Sequence, residues 1–182
     1  MKRTTKLTFP SSRILLDKGV ARRIYEFQLR FAKKAQPTQP QIDAVRLFKR
    51  LQAVAAQIYI TQESANVLRL RQPQYAQAIL NSTITLRKGR YLRRWARRLR
   101  SFVFSREDAC VIAYATFGLD EYSQLPRLEA LVTTDLRMIN NFNEQHAKIK
   151  LRFERMICHL PEPYVSLRLP EVMTTATALA LT

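Results

Sequence analysis

Four carboxylates carry the chemistry that the residue types of this chain allow: Asp17, Glu63, Asp108 and Asp135. Each sits where an apolar, strand-like run meets a helical pattern. Asp17 closes Arg13-Ile-Leu-Leu16, Glu63 follows Ile58-Tyr-Ile-Thr61, Asp108 opens Ala109-Cys-Val-Ile-Ala113, and Asp135 ends Ala130-Leu-Val-Thr-Thr134. In a parallel α/β sheet such junctions lie along one edge, so acids distant in sequence can meet there. Carboxylates gathered within about 4–6 Å raise one another's pKa unless a cation intervenes. Oxygen donors with few histidines suit Mg²⁺ or Mn²⁺ better than zinc. Such ions activate water and stabilise the charge that develops at a phosphodiester. The four acids are therefore candidate metal-binding and catalytic residues.

Each acid also has a purely structural explanation. Asp17 and Asp135 can cap helices by accepting orphan backbone N–H bonds. Ser105-Arg-Glu-Asp108 has the spacing of a capping box, and Glu63 can simply complement a helix dipole. Taken singly, none of the four is informative, and only their common placement is.

Composition narrows the alternatives. A chain of 182 residues, 47% hydrophobic and 25% charged, is long enough for one domain with a sizeable core. Its 31 Lys and Arg against 14 Asp and Glu, net +17, predict an anionic partner, with nucleic acid ahead of an acidic membrane surface. Cys110 and Cys158 lack C-x-x-C spacing, and His146 and His159 are the only histidines, so a structural zinc site is not expected. Cys110 reads as a small buried hydrophobe. No Ser-His-Asp set, phosphate-binding glycine loop or dinucleotide fingerprint is present; the glycines are Gly19, Gly89 and Gly118 alone. Met1-Lys-Arg-Thr-Thr-Lys6 lacks the apolar run of a secretory signal, and no stretch approaches 18 consecutive apolar residues. The expectation is a cytoplasmic protein with reduced thiols and no membrane span.

The elements that must position the acids alternate. Ile14-Leu-Leu16 predicts a short buried strand, and Val20, Ile24, Phe27 and Phe31 predict an amphipathic helix after it. Pro40 suits the first turn of a second helix carried by Ile42, Val45, Phe48, Leu51 and Val54. Ile58-Tyr-Ile60 is the second strand, Glu63 to Arg71 the next helix, and Pro73 begins another that runs to about Leu80. Thr83-Ile-Thr-Leu86 alternates as a third strand. Gly89 to Arg100 predicts a basic helix and Ser105 to Phe117 a buried one, which Gly118 ends. Leu131-Val132 is a fourth strand, followed by a helix from Leu136 to about Ala147; a last strand is expected within Ile149 to Ile157. Met173 to Thr182 reads as a docked arm, an extra edge strand or a disordered tail. Strands alternating with helices imply an α/β fold, a mostly parallel sheet with helices on both faces.

These residues resemble the PIN-domain ribonucleases, a family that includes VapC-type toxins. Asp108-Ala-Cys-Val-Ile-Ala-Tyr-Ala115, then Gly118, then Leu131-Val-Thr-Thr-Asp135 look like the family's D-A-x-I-x-x-x-A helix and L-V-T-x-D strand end. Arg13-Ile-Leu-Leu-Asp17 and Ile60-Thr-Gln-Glu63 resemble its first and second strands with their acids. The likeness covers roughly residues 12–157. It implies a three-layer αβα sandwich, a nuclease domain over residues 1–164 and an arm or tail over 165–182. It also implies Mg²⁺- or Mn²⁺-dependent endonucleolytic hydrolysis of RNA at Asp17, Glu63, Asp108 and Asp135. Thr133 falls where the family has a threonine that holds Asp135 or a substrate phosphate. Lys18-Gly19 follow the first acid, where the family more often has a small polar residue, and Leu119 to Glu129 lengthen one connection. A homodimer, or an acidic antitoxin-like protein as partner, would also follow.

The segment Arg87 to Arg100 holds eight basic residues in fourteen. Leu92, Trp95 or Ala96, and Leu99 form its apolar stripe, so Trp95 is expected in the core. Arg90, Arg93, Arg94, Arg97 and Arg98 fan over the other faces as candidate RNA-binding residues, arginine being suited to phosphate and to unpaired bases. The rival to a nuclease is a protein of the same fold that binds RNA or DNA and cuts it poorly.

Overall fold

The computed structural model describes residues 12–182; the basic segment Met1 to Lys6 lies outside the described residues. The chain opens on strand β1 (Arg13–Leu16), helix α1 (Lys18–Ala32), helix α2 (Gln39–Ala53) and strand β2 (Gln57–Thr61). Helices α3 (Gln62–Arg69) and α4 (Pro73–Asn81) lead to strand β3 (Ile84–Lys88). Helix α5 (Leu92–Leu99), a single 3₁₀ turn (Arg100–Phe102) and helix α6 (Arg106–Phe117) follow, then the two-residue strand β4 (Gly118–Leu119). Strand β5 (Ala130–Thr133), helices α7 (Leu136–Glu144) and α8 (His146–Ile157), strand β6 (Glu171–Thr174) and helix α9 (Thr175–Leu181) complete the chain.

The strands form one sheet in the order β4-β3-β2-β1-β5-β6, parallel except where β4 pairs antiparallel with β3. The period-two alternation of strand side chains sorts the core into two layers. Ile14, Leu16, Ile58, Ile60, Ala130, Val132 and Met173 face a cluster completed by α1, α2, α3, α4 and α9. Leu15, Tyr59, Leu131 and Val172 face the opposite cluster, built on α5 through α8. The architecture is the αβα sandwich that the strand–helix alternation predicted, and among the described residues no helix is long and apolar enough to cross a membrane.

Several expectations are corrected. Ile149 to Ile157 is helical: Ile149, Phe153, Met156 and Ile157 recur at helical spacing and are buried together, so the charged residues between them are the wet face of α8. The C-terminal stretch is both an edge strand and a helix, with β6 in parallel register against β5 and Arg50 of α2 donating to the Leu179 carbonyl at 3.1 Å. Helix α1 turns Val20, Ala21, Ile24 and Tyr25 inward; Phe31 lies outside, stacked on Phe27 at a centroid separation of 6.2 Å. Gly118 ends α6 in extended backbone rather than in a left-handed cap, because the chain turns directly into β4.

Candidate functional site

The carboxyl ends of β1 and β5 bring the first acid into place. The backbone N–H of Asp17 continues the sheet by donating to the Val132 carbonyl at 2.9 Å. Its side chain faces two donors: the Lys18 N–H, 2.6 Å from Oδ1, and the Thr133 hydroxyl, 2.9 Å from Oδ2. Thr133 is fully buried, and its Oγ1 also accepts the Asp135 N–H at 3.1 Å. One hydroxyl thus ties the two acids together, its single proton committed to Asp17. The Asp135 carboxylate accepts the Met138 N–H at 3.0 Å and caps α7. A Cβ at Gly19 would lie 2.5 Å from Thr134 Oγ1, so the glycine leaves room for that hydroxyl just beyond β5.

Burial pushes the Asp17 carboxyl above its ordinary range, against the opposing Thr133 hydroxyl, Lys18 N–H and Lys18 charge, while the Glu107 charge adds to the rise. Glu63 stands in the first turn of α3, whose start is capped by Thr61 Oγ1 accepting the Ser64 N–H at 3.1 Å. Glu107 stands in the first turn of α6, where Ser105 Oγ accepts the Asp108 N–H at 3.0 Å. Asp17, Glu63 and Glu107 line one cleft of about 20 Å³ together with Lys18, Cys110 and Tyr114. That is room for little more than a water or a small ion. The Lys18 ammonium is ion-paired with Glu107 and lies in the field of Asp17 and Glu63, which hold its pKa up, Glu107 foremost. Tyr114 is 1% exposed and its hydroxyl has no partner among the described residues. Burial and then the charges of Glu63 and Cys110 push it up to about 12.

Of the four acids expected from sequence, the structure brings Asp17 and Glu63 into the cleft. Asp108 and Asp135 are not among its lining residues. Asp135 stays joined to Asp17 through Thr133, and Asp108 occupies the same helical turn as Glu107. Glu107 is the acid that reading along the chain missed, and helical phase carried the signal for it. Glu107, Cys110, Val111 and Tyr114 stand at i, i+3, i+4 and i+7 on α6 and all line the cleft. Asp108 is one step further around the helix.

The donors are oxygens of the kind that suit Mg²⁺ or Mn²⁺. Their arrangement as it stands does not fit such an ion: among the described residues no group of three or more His, Cys, Asp or Glu is placed to hold a metal. The cation presented to the cleft is the ammonium of Lys18.

A larger groove of about 770 Å³ opens beside the cleft, between α5 and α6. Lys88, Arg93, Arg97, Arg100 and Arg106 line it, and Glu63, Glu107 and Cys110 belong to both the groove and the cleft. Of the five arginines singled out in the basic helix, Arg93 and Arg97 face this groove. Arg98 lies in the field of Arg152 and Arg94, and burial, then these like charges, lower its pKa. The Arg90 guanidinium stands 5.4 Å from the centre of the Tyr91 ring. Trp95 is fully buried, 5.2 Å from Phe153 between ring centroids, as its place on the apolar stripe required.

Fold and site together define an α/β sandwich with an acidic cleft at the carboxyl edge of its parallel strands and a basic groove leading to it. No family model matches the chain, and neither curated proteins nor solved structures give a match.

Proposed function

We propose that this protein is a ribonuclease that binds RNA along the basic groove and hydrolyses it at the acidic cleft, with Mg²⁺ or Mn²⁺ as cofactor. One observation carries the reading: Glu63, Glu107 and Cys110 form a wall common to the groove and the cleft, so a phosphodiester backbone lying in the groove passes beside the acids. The likeness of the Asp17, Glu63, Asp108 and Asp135 segments to PIN-domain ribonucleases supports the same assignment. The acids as they stand are not grouped to hold a divalent ion; one drawn to Asp17, Glu63 and Glu107 would supply water activation and charge stabilisation at phosphorus. The protein's own groups have separable roles. Lys88, Arg93, Arg97, Arg100 and Arg106 neutralise phosphates and set the register of the strand. Thr133 orients the Asp17 carboxylate through its hydroxyl.

Asp17→Asn tests the reading. The substitution keeps the shape of the side chain and removes a charge that burial disfavours, so the fold should be retained. Cleavage of single-stranded RNA in millimolar Mn²⁺ should fall at least about 100-fold, in the range of a lost charge-stabilising group, while low-salt RNA binding is unchanged. Cleavage equal to that of the unsubstituted protein would remove the site assignment. A second reading, an RNA-binding protein that cuts poorly, is favoured by the ion pair of Lys18 with Glu107. Salt-sensitive binding with no cleavage by either protein would select it.

A further inference from the structure

We infer that the apolar pocket between α1 and α3 is a base-binding subsite, which takes one unpaired base of an RNA strand that has crossed the acidic cleft. The inference rests on the reading of the groove and the cleft as the path of an RNA strand, and it adds where that strand goes beyond the acids. The pocket has a volume of about 280 Å³. Helices α1 and α3 both start at the carboxyl edge of the sheet, directly after β1 and β2, and each turns one face to the pocket. Lys18, Ala21, Arg22 and Tyr25 stand at i, i+3, i+4 and i+7 on α1. Ser64, Val67, Leu68 and Arg71 repeat that spacing along α3 and the turn after it.

Continuity, chemistry and size select the occupant. Lys18 and Ser64 line both the cleft and the pocket, as Glu63, Glu107 and Cys110 line both the groove and the cleft, so the three form one track. The pocket floor is apolar: Ala21, Tyr25 and Leu68 are buried, and Val67 stands at the mouth, 38% exposed. Lys18, Arg22 and Arg71 surround that floor, and among the described residues no acid lines it. Lys18 is paired with Glu107 and Arg22 with Glu26, whereas among the described residues no carboxylate pairs with Arg71. An apolar floor ringed by cations matches a flat base joined to an anionic phosphate. The volume lies just under the range of about 300–1,000 Å³ usual for small-molecule sites, which gives room for one base and none for a base pair. The strand is therefore single where it leaves the cleft.

The test maps where the base sits. Single-stranded RNA with thiouridine in place of uridine is bound to the full-length protein at low salt, crosslinked by light and located by mass spectrometry of the peptides. Crosslinks should fall on the α1 and α3 peptides that line the pocket as well as on those of α5. Val67→Glu sets a carboxylate at the mouth of the pocket. It should remove the α1 and α3 crosslinks and weaken binding on the order of tenfold, the loss of about one stacked base. Arg71→Gln, on the exposed turn after α3, should flatten the salt dependence of binding by about 0.7 in the log–log slope, one phosphate contact. Arg69→Gln, on the same helix but outside the lining, should do neither. Circular dichroism checks each fold, and Arg71→Gln carries the test if Val67→Glu does not fold. Crosslinks confined to α5, or RNA binding unchanged in both Val67→Glu and Arg71→Gln, would overturn the inference and leave the pocket to another occupant, such as an apolar side chain of an acidic protein; cleavage of RNA by the same protein would keep the nuclease. RNA held in the pocket but never cut keeps the subsite and loses the nuclease, and a protein that binds no RNA loses both.

Discussion

Thr133→Val probes the joint on which the acid edge depends. The Thr133 hydroxyl is fully buried, donates to Asp17 Oδ2 at 2.9 Å and accepts the Asp135 N–H at 3.1 Å. Valine fills nearly the same volume, so the change removes hydrogen bonds and leaves the packing intact. A hydrogen bond to a charged group contributes about 1.5–3 kcal/mol. The Asp135 N–H loses its acceptor too, but that bond is only part-buried and its acceptor is neutral, so it is the smaller contribution. The expected destabilisation is about 2 kcal/mol near neutral pH, or about 4–8 °C in Tm for a chain of this size. Its pH dependence has a definite sign. Burial holds the folded-state pKa of Asp17 above its ordinary value, so the folded state keeps this proton longer than the unfolded state does. The carboxyl therefore costs stability as pH rises through its folded pKa. The Thr133 hydroxyl opposes that rise, so removing it moves the folded pKa further up. The Thr133→Val penalty should be complete above that pKa and should shrink as pH falls into the carboxylate range and Asp17 becomes protonated. Urea unfolding at a series of pH values measures this. In an Asp17→Asn background the same substitution should lose about 1 kcal/mol of its effect, the difference between a charged and a neutral acceptor. A penalty that is the same at all pH values and in both backgrounds would refute the account of Thr133 as the partner of an ionised Asp17.

Two further outcomes follow from the groove and the sheet edge. Replacing both Arg93 and Arg97 with Gln should flatten the salt dependence of single-stranded RNA binding by about 0.7 per lost phosphate contact in the log–log slope. Arg90→Gln, outside the groove lining, should leave that slope unchanged, and fluorescence anisotropy across a salt series distinguishes the two. Gly89→Ala should destabilise the protein by about 1–3 kcal/mol, the usual range for overpacking. A Cβ at Gly89 would lie 2.0 Å from the Phe117 carbonyl oxygen, forcing apart β3 and β4 where Lys88 pairs with Gly118. Thermal unfolding measures it, and an unchanged Tm would show that the β4 edge yields freely.

The parts of this fold legible in the sequence are those where one period dominates. Arg13-Ile-Leu-Leu16 and Ala130-Leu-Val-Thr133 are short apolar runs with acids or threonines at their ends, and each became a central strand whose alternate residues serve both core layers. Where two patterns compete, reading along the chain failed. Ile149 to Ile157 has its apolar residues at helical spacing, yet its dense charge and brevity imitate an edge strand until a core is available to receive Phe153. Strand β4 has only two residues and no pattern of its own; it exists because Gly118 and Leu119 find β3 beside them. The same distinction governs the site. That the acids collect at one edge was legible, because each one followed or opened an element whose direction the α/β topology fixes. Which acid of a helix enters the cleft was not, because Glu107 and Asp108 are neighbours on α6 and only the rotation of that helix against the sheet separates them. The rotation is set by the buried face of α6, where Ile112, Ala113 and Phe117 share a core cluster with Leu86, Leu92 and Trp95. Lys18 was legible only as a basic residue directly after Asp17. Its meaning depends on Glu107, 89 positions away, which the sheet edge and the phase of α6 together bring to its ammonium.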